Sequence, residues 1–479
     1  MFSFLVIVII SCSDDHSSKR TSGEVAVSAD LDKIRERGKL VAITDFNSTN
    51  YFIYKGEPMG FNYELLRAFA DHIGIDLEII TENHIEHAVE MLNSGDADLI
   101  AIGITVNSTR KKELQFTEPI DETRQVLIQR KPRNWRSMTA MSLDKKLIRN
   151  QLDIAGKVVY VQKGSSHAER MNTLAHEIGD SITIIEVPFE SEQLIKNVAE
   201  GEIDYTVCDE NVALVNATYY PDIDISTPVS FPQKLAWGIR KNNSDKLLEE
   251  LNNWITAYTG SESYALLHSK YFRNSRSSTI VRSDYYALNT GKVSKYDDLI
   301  RQFSDTINWD WRLLASLICQ ESRFEADVTS WAGAYGLMQV LPVTGERFGI
   351  DITSSPKNNI RAGAKYINWL HSIYDKKVPD EKERLNFILA SYNAGPGHVL
   401  DAMKLAEKNG MDPRKWEDVE IWLLKKSDPK YYNDIVVRSG YFRGTESVAF
   451  VSEILDRYEH YKNILPAEFV KKDVLTSGR

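Results

Sequence analysis

The hydrophobic and polar positions of the chain change their pattern along its length. Up to about residue 272, short apolar runs typical of buried strands alternate with stretches whose apolar residues recur at helical spacing. This alternation predicts an α/β sheet with parallel strands and a ligand site at the strand ends. The predicted strands are 39–43, 77–80 and 97–102, and the predicted helix 63–73 places Leu65, Leu66, Phe69 and Ile73 on one face.

Two further strand-like segments, 125–129 and 235–240, lead out of the first half of this region and back into it. Two crossings between two α/β lobes are typical of hinged ligand clamps. The pattern therefore predicts a two-lobed domain over residues 31–272. We expect lobe 1 to comprise residues 31–124 and 241–272, and lobe 2 to comprise residues 130–235.

A helical stripe of apolar residues ends at a single carboxylate, Glu321. Leu317, Leu314 and Trp311 precede it at helical spacing, and Asn308 or Asp310 can cap the start of the helix. A carboxyl group that emerges beside apolar side chains is harder to ionise, so we expect its pKa to rise, as a proton donor requires. A lone glutamate at a helix end is more often solvated, so the downstream sequence has to decide between the two interpretations.

Two glycine-punctuated segments follow this helix. Gly333 and Gly336 allow the backbone to approach a ligand, which Gln339 can hydrogen-bond. Further on, an apolar run ends in Gly-Pro-Gly at residues 395–397, which places Tyr392 and Asn393 where a helix gives way to a turn.

Length and composition limit the classes of function. With 479 residues, the chain is too long for one core, and two or three domains are expected. The net charge of −10, with no basic stripe, argues against binding of nucleic acid. The sequence has no His/Cys cluster with metal-ligand spacing, so neither a metal nor another cofactor is expected.

The amino terminus predicts a lipid anchor. Residues 1–10 are almost wholly apolar, too short to span a bilayer but typical of a signal-peptide core. Ile9-Ile10-Ser11-Cys12 resembles a bacterial lipobox, which implies a signal peptide over residues 1–12, lipidation at Cys12 and a polar tether over 13–30. We expect a cell-envelope protein, anchored by lipid in the outer membrane and facing the periplasm.

Three motifs in the second half resemble the soluble lytic transglycosylase (SLT) domain family. They are E-S-R-F (321–324), S-x-x-G-A-x-G-L-M-Q-x-x-P (330–342) and A-S-Y-N-A-G (390–395), in that family's order and spacing. The resemblance implies a mainly α, lysozyme-like domain over residues 293–465, between a linker (273–292) and a tail (466–479). It also implies cleavage of the β-1,4 bond between N-acetylmuramic acid and N-acetylglucosamine in peptidoglycan glycan strands, leaving a 1,6-anhydro end.

The same resemblance assigns residues. Glu321 matches the family's single catalytic acid and base, and the residues that match substrate-binding positions are Ser330, Gln339, Tyr392 and Asn393. The sequence departs from the family at Phe450, where a tyrosine often stands. Tyr441 is close in sequence and could supply the missing hydroxyl.

The first half resembles the family 3 solute-binding proteins that serve polar amino acids. Matching segments are 56–66, 95–100, 103–120, 156–166 and 201–210. The resemblance implies that Arg110 binds a ligand α-carboxylate, Asp209 binds an α-ammonium, and Ser165 lines the same cleft. The expected ligand is a small amino acid or a muropeptide.

Three functions remain open at this stage. The first is a lytic transglycosylase whose activity depends on ligand binding to the clamp. The second is a lysozyme-type hydrolase that uses the same Glu321. The third is a lipoprotein that binds amino acids or muropeptides and holds glycan without cleaving it.

Overall fold

The computed structural model describes residues 30–106, 110–179, 182–272, 280, 283 and 286–467. The predicted signal peptide with Cys12, the tether up to residue 29 and the tail from residue 468 lie outside the described residues. Among the described residues, no helix is long and apolar enough to cross a membrane.

The first part of the chain forms two sheets with helices packed against them. Its strands are β1 (Lys39–Thr44), β2 (Phe52–Tyr54), β3 (Glu57–Met59), β4 (Asp76–Thr81), β5 (Leu99–Thr105), β6 (Leu114–Phe116), β7 (Asp121–Thr123), β8 (Gln125–Arg130), β9 (Val158–Gln162), β10 (Thr183–Val187), β11 (Tyr205–Asp209), β12 (Ile223–Pro228) and β13 (Gln233–Arg240). Its helices are α1 (Leu31–Arg37), α2 (Phe61–Ile73), α3 (Ile85–Ser94), α4 (Ala140–Asp144), α5 (Ser166–Ile178), α6 (Ser191–Glu200), α7 (Glu210–Tyr219), α8 (Asp245–Thr259) and α9 (Glu262–Phe272).

Each lobe is built on one sheet. The first has the strand order β4-β1-β5-β13-β6, with β7 also paired to β13, and the second has the order β10-β9-β11-β8-β12. β1 runs parallel to β4 and β5, and β9 runs parallel to β10 and β11. The strands that follow the crossings, β8 and β13, pair antiparallel with their neighbours.

The crossings lie at slightly different places from those in the sequence analysis. β8 belongs wholly to the second sheet from Gln125, because it pairs with β11 along its length. β13 belongs to the first sheet from Gln233, where it pairs with Thr123 of β7. Residues 125–129 therefore join lobe 2, and residues 233–240 join lobe 1.

The second part of the chain is a helical domain around one large apolar core. Its helices are α10 (Ala287–Thr290), α11 (Asp297–Thr306), α12 (Trp311–Ser322), α13 (Pro342–Arg347), α14 (Pro356–Tyr374), α15 (Glu381–Ala394), α16 (Pro396–Lys408), α17 (Trp416–Lys425), α18 (Pro429–Tyr432) and α19 (Thr445–Ile464). α12 and α19 pack side by side in this core. The expected fold class, a two-lobed α/β domain followed by a mainly α domain, is confirmed.

α12 begins and ends at identifiable residues. Of the two predicted caps, Asp310 caps the helix, since its side chain accepts a hydrogen bond from the Arg312 backbone N–H. Arg323 ends it in a left-handed conformation at φ 51°. Between these residues almost every side chain of α12 is buried except Arg312, Gln320 and Glu321.

One hairpin of the clamp is embedded in the helical domain. In β2, Phe52 packs in the core of lobe 1, while its neighbour Ile53 is fully buried in the core of the helical domain. Successive residues of a strand face opposite sides, so this strand contributes to two cores. The hairpin formed by β2 and β3, residues 52–59, is called the docking hairpin below.

The connection between the domains is packed from Tyr286 onward. Tyr286 is fully buried in the lobe 1 core, and Ala287 is buried in the core of the helical domain. Tyr286 also forms a β-bridge with Tyr54 of the docking hairpin. The linker predicted over 273–292 is therefore, in the part from Tyr286 that the structure describes, an ordered element of both domains.

Candidate functional site: a solitary glutamate and a ligand cleft

Glu321 lies in the last turn of α12 and is partly exposed. Burial raises the pKa of its carboxyl from 4.5 to about 8, and no charged group contributes to this shift. Within the part of the chain that the structure describes, its carboxyl has neither a hydrogen-bond donor nor a cation as partner. Glu321 can therefore carry a proton at neutral pH, as the apolar face of its helix predicts.

The loop of residues 328–340 is fastened to the same helix turn. The Ser322 hydroxyl donates to the Leu337 carbonyl over 2.8 Å. Asn359 of α14 forms two hydrogen bonds with the loop: its Oδ1 accepts from Met338 N and its Nδ2 donates to the Tyr335 carbonyl. A Cβ at Gly336, where φ is +79°, would lie 2.5 Å from Asn359 Nδ2, which is why glycine is needed there.

Of the predicted sugar-binding residues, Ser330 and Gln339 are engaged within this loop. The Ser330 hydroxyl accepts from the Ala334 backbone N–H at 3.0 Å. The Gln339 amide donates to the Val328 and Gly336 carbonyls at 3.0 and 2.9 Å. Both side chains hold the shape of the loop, and each retains hydrogen-bonding capacity: the Ser330 hydroxyl can still donate and the Gln339 side-chain oxygen can accept.

The structure brings Tyr392 close to Glu321. Tyr392 donates its hydroxyl to the Met338 carbonyl over 2.7 Å. Burial, the nearby Glu321 carboxyl and Tyr366 raise the Tyr392 pKa well above its usual value, so its hydroxyl stays protonated. Asn393, in contrast, accepts a hydrogen bond from Ser447 and ties α15 to α19.

Aromatic side chains beside Tyr392 were missed in the sequence analysis. The Tyr366 ring lies 5.4 Å from the Tyr392 ring and stacks on Trp369 at 5.5 Å, and Arg347 covers Trp369 at 4.0 Å. Trp331, next to Ser330, is fully exposed. Tyr366 and Trp369 are three residues apart on α14, a spacing that indicates a shared helix face, but nothing local indicates which domain surface that face joins.

Phe450 lies in the core of the helical domain and is 6% exposed. Tyr441, the nearby tyrosine, is exposed on the loop before α19 and contacts the Tyr432 ring edge-on.

The clamp holds a cleft between its lobes. One cavity of about 600 Å³ shares part of its wall with a smaller one of about 120 Å³. The three predicted ligand residues, Arg110, Ser165 and Asp209, all line the smaller cavity. The structure thus brings the three residues to one cavity, and their binding of a ligand stays a prediction.

Each of these three residues contacts neighbouring groups of the clamp. Arg110 is partly buried and donates to the Thr105 carbonyl, while Lys111 and Lys112 beside it are exposed. Burial lowers the Arg110 pKa, opposed by the acids Glu169, Glu86 and Asp209. Ser165 caps α5 by accepting from Ala168 N, and Asp209 Oδ1 lies 3.5 Å from His167 Nε2.

The docking hairpin links this cleft to the helix of Glu321. Residues 47–50, which line the larger cavity, lead directly into β2. At the hairpin tip, the Gly56 carbonyl accepts from the Tyr461 hydroxyl at 2.8 Å, and Glu57 contacts Arg457 at 3.7 Å. The Cys319 thiol, two residues before Glu321, is 3.7 Å from Glu57 Oε1.

α19 adds further contacts between the domains. His460 Nδ1 lies 2.7 Å from the Tyr51 hydroxyl, and Asn463 donates to the Ile79 carbonyl over 2.6 Å. In the described ranges, no group of His, Cys, Asp and Glu residues is arranged to hold a metal ion.

Each half of the chain matches the model of a known protein family. The family model for bacterial extracellular solute-binding proteins, family 3, matches residues 39–274, and that for the transglycosylase SLT domain matches residues 298–414.

Curated relatives match this chain over most of its length. The membrane-bound lytic murein transglycosylase F of Desulfosudis oleivorans is 34% identical over 90% of this chain and 91% of its own. The protein of the same name from Pseudomonas fluorescens (strain Pf-5) is 31% identical over 90% of this chain and 86% of its own. Among solved structures, a mutant of the arginine-binding protein ArgBP from T. maritima is 25% identical, with a TM-score of 0.42 over 51% of this chain and 99% of its own.

Proposed function

The chain belongs to the family of membrane-bound lytic murein transglycosylase F, and as a lytic transglycosylase of peptidoglycan it requires an acid and a base, both of which we propose Glu321 supplies. The observation that carries this proposal is the carboxyl's isolation. Burial alone raises its pKa to about 8, and no second carboxylate contributes to its electrostatic setting. Glu325 and Asp327, the acids nearest in sequence, are both exposed.

One carboxyl suffices because the substrate supplies the nucleophile. Protonated Glu321 donates its proton to the glycosidic oxygen, so that the bond to the anomeric carbon of N-acetylmuramic acid breaks and N-acetylglucosamine leaves with a hydroxyl. The resulting carboxylate then takes the proton of the muramic 6-hydroxyl as that oxygen bonds to the anomeric carbon. Glu321 is again protonated, and no water is consumed, which sets this reaction apart from two-carboxylate hydrolysis.

Ser330, Gln339, Tyr392 and Asn393 are proposed to shape and line the glycan site. Their support is the hydrogen bonding of Ser330, Gln339 and Tyr392 to the 328–340 loop, and of Asn393 to α19. In this proposal Tyr392 acts close to the reacting atoms, whereas Asn393 positions the turn that carries it.

Product mass distinguishes this function from hydrolysis. Digestion of purified peptidoglycan should release anhydro products one water lighter than those of a lysozyme-type hydrolase. Glu321→Gln should lower turnover by about 100-fold or more while retaining glycan binding. Glu325→Gln, a matched change at an exposed glutamate, should leave turnover intact. Reducing products contradict the transglycosylase mechanism; substantial activity of the Glu321 variant contradicts its role.

The clamp is proposed to bind a small ligand with an α-carboxylate and an α-ammonium. Arg110 suits the carboxylate through its bidentate guanidinium, Asp209 suits the ammonium, and Ser165 lines the same wall. Calorimetry with an equimolar mixture of the common amino acids and with a muropeptide digest tests this. Arg110→Met should abolish the binding seen with the unaltered protein.

Ligand binding is further proposed to regulate turnover through the docking hairpin. This is supported because the docking hairpin connects the two sites. Cleft residues 47–50 precede β2, and the hairpin tip contacts Cys319 in the last turns of the Glu321 helix. Regulation requires the ligand to bind two domain arrangements with different affinity. Turnover on peptidoglycan is measured with and without a probe ligand whose binding has been confirmed by calorimetry. An unchanged rate at a saturating concentration of that ligand contradicts the coupling.

The chain is a cell-envelope protein, as the names of its relatives indicate. We propose that lipid at Cys12 anchors it to the outer membrane, facing the periplasm. Cys12→Ala should move the protein from the membrane fraction to the soluble periplasmic fraction.

A further inference from the structure

A row of side chains, called the aromatic row below, leads away from the Glu321 helix and ends in an exposed cation. The Tyr366 ring lies 5.4 Å from the Tyr392 ring, and it stacks on the Trp369 ring at 5.5 Å with 22° between the planes. The guanidinium of Arg347, at the end of α13, lies 4.0 Å from the centre of the Trp369 ring. Because Tyr392 is close to Glu321, the row connects the acid to a positive charge.

This arginine is exposed on the surface of the helical domain. Across the ranges that the structure describes, no carboxylate lies within ion-pair distance of its guanidinium. The acid next to it in sequence, Glu346, lines a groove with Tyr335 and Ile352 whose wall does not include Arg347. Burial raises the pKa of the Tyr366 phenol, and the Arg347 charge is close enough to oppose this shift.

Stacking leaves the hydrogen-bonding groups of Arg347 available. A guanidinium on an aromatic ring is held by its face, whereas its N–H groups point outward from its edge. Two of these edge groups match the two oxygens of a carboxylate and can form a pair of parallel hydrogen bonds with it. Because the stacked side chain is already restricted, it loses less conformational entropy when a ligand binds. Arg347 is therefore suited to bind an anionic group of a ligand that lies along the aromatic row.

Peptidoglycan carries such a group on one of its two sugars. The 3-O-lactyl arm of N-acetylmuramic acid ends in a carboxyl group, which is either free or joined to a short peptide with carboxylates of its own. The chain has a net charge of −10 and so repels an anionic polymer as a whole. A cation beside the glycan site offsets this repulsion where the substrate binds.

Packing against Trp369 does not by itself explain an arginine at this position. The ring is half-buried, and the aliphatic part of any long side chain would cover it. A methionine would do so without bringing a charge to the end of the aromatic row. The covering of the ring and the binding of an anion can therefore be separated by substitution.

We propose that Arg347 is a specificity-determining residue that binds a carboxylate on the lactyl arm of N-acetylmuramic acid, either the arm's own or one in its attached peptide. The inference rests on the glycan site proposed above, in which the sugar next to the cleaved bond lies beside Glu321 and Tyr392. The strand follows the aromatic row, and the carboxylate meets the edge of the guanidinium. The enzyme thus favours strands that carry carboxylates over neutral strands of the same sugars.

Glycan strands with and without carboxylates test this on the detergent-solubilised full chain. One half of a peptidoglycan preparation is treated with carbodiimide and methylamine, which convert its carboxyl groups to neutral N-methylamides, and the other half is left unaltered. We expect kcat/KM to be about threefold to tenfold higher on the unaltered strands. The difference should lie in KM, because the contact is the same in the ground state and the transition state.

The same comparison on strands without peptides identifies the source of the carboxylate. An amidase removes the peptides and leaves the lactyl carboxyl group free, and half of this material is then converted to the N-methylamide. A preference that persists shows that the lactyl carboxylate is bound. A preference found only with peptide-bearing strands shows that a carboxylate of the peptide is bound.

Variants identify the group responsible. Arg347→Met keeps an aliphatic cover on Trp369 but removes the charge, so it should raise KM on unaltered strands about threefold to tenfold and abolish the preference. Arg347→Lys keeps the charge without the paired donors and should retain part of the preference. Arg133→Met, the same change at an exposed arginine in lobe 2, is the matched control and should retain the preference in full.

Two further measurements make the result independent of folding and of turnover. Melting temperatures verify that each variant is folded, and the comparison of strands on the unaltered protein needs no variant. Calorimetry with Glu321→Gln compares the binding of the two kinds of strand without cleavage.

The possible outcomes separate the inference from the mechanism. Equal KM values for the two kinds of strand on the unaltered protein contradict the inference. So does an Arg347→Met variant that lowers kcat equally on both, since the arginine then serves only the packing of Trp369. An equal effect of Arg133→Met shows that net charge is responsible, which also contradicts it. Reducing products contradict the transglycosylase mechanism whether or not carboxylates are preferred.

Discussion

At the scale of single residues, the environment of Glu321 determines which protonation state it holds. Burial raises its pKa to about 8, and no cation among the described residues opposes this shift. The titratable group shown beside it is Tyr392, which stays protonated and so adds no charge at neutral pH. The acid therefore begins the reaction carrying the proton that it must donate.

The pH dependence of the reaction should reflect this state. Because catalysis starts from protonated Glu321, kcat/KM should stay high at neutral pH and fall as the pH rises through about 8. Turnover of soluble glycan strands measured between pH 5 and 10 checks this. A decline that begins near pH 5 would mean that the Glu321 carboxyl ionises at its ordinary pKa and that burial does not raise it.

Substituting Glu321 should also change stability in a pH-dependent way. The folded carboxyl holds its proton up to about pH 8, whereas the unfolded one loses it near 4.5, so the native state loses stability as the pH rises across that window. Glu321→Gln removes this loss: it should raise the free energy of unfolding at pH 9 by on the order of a few kcal/mol, and by little at pH 4. Melting temperatures at both values measure it. Activity should fall about 10²- to 10⁴-fold in the same variant.

At the scale of elements, local sequence was sufficient to predict α12 but not the docking hairpin. An aspartate cap, a helical stripe and a glycine-rich loop all lie within thirty residues of Glu321, so their pattern could be interpreted directly. The hairpin's tip contacts Tyr461, 405 residues away in sequence. No local pattern indicates such a partner, because strand alternation shows that two faces are buried but not what covers them.

The same distinction explains which site residues were found. Tyr392 and the 328–340 loop lie on recognisable motifs and are brought together as expected. Asn359 and Tyr366 are an ordinary polar and an ordinary aromatic residue until the fold places them beside the 328–340 loop and Tyr392. Tyr286, in a segment predicted to be a linker, was missed for the same reason.

The tip of the docking hairpin allows a sharp test of its contact with α12 and α19. A Cβ at Gly56 would lie 2.6 Å from the Tyr461 hydroxyl, 2.7 Å from Phe324 and 2.9 Å from Cys319, at φ +83°. Gly56→Ala should therefore destabilise the protein by about 1–3 kcal/mol beyond the cost of the backbone conformation, and make turnover insensitive to clamp ligands.

Gly38→Ala is the matched control for this change. The φ of Gly38 is +73°, and an added Cβ would meet nothing within 4 Å. Gly38→Ala therefore carries only the cost of placing an alanine in a left-handed backbone conformation. Thermal unfolding and ligand-dependent turnover are measured for both variants. Equal effects would show that crowding at the hairpin tip does not matter.

At the scale of the whole molecule, the two domains share structure as well as a covalent connection. Ile53 of the clamp lies in the core of the helical domain, while Phe52 and Tyr286 lie in the core of lobe 1. Further contacts run from α19 to Tyr51 and to β4. A change in either domain is therefore expected to reach the other.

Truncating Ile53 tests this sharing. Ile53→Ala should cost about 2–5 kcal/mol and lower the unfolding temperature of the helical domain, although the residue belongs to the clamp. Ile34→Ala, a change of the same size confined to the lobe 1 core, should lower the stability of the clamp more. Calorimetry, with tryptophan fluorescence as a second probe, separates the transitions; identical profiles for the two variants would contradict the shared core.

Strand β2 also has a consequence while the protein is being synthesised and is folding. Synthesis proceeds from the amino terminus, so Ile53 emerges long before α12 and α19 that will cover it. Until the last helix has been made, the nascent clamp exposes an apolar strand face, which is a site for chaperone binding or for premature association with another chain. A chain cut short before α19 would keep that face exposed, so cellular quality control could distinguish it from a finished molecule.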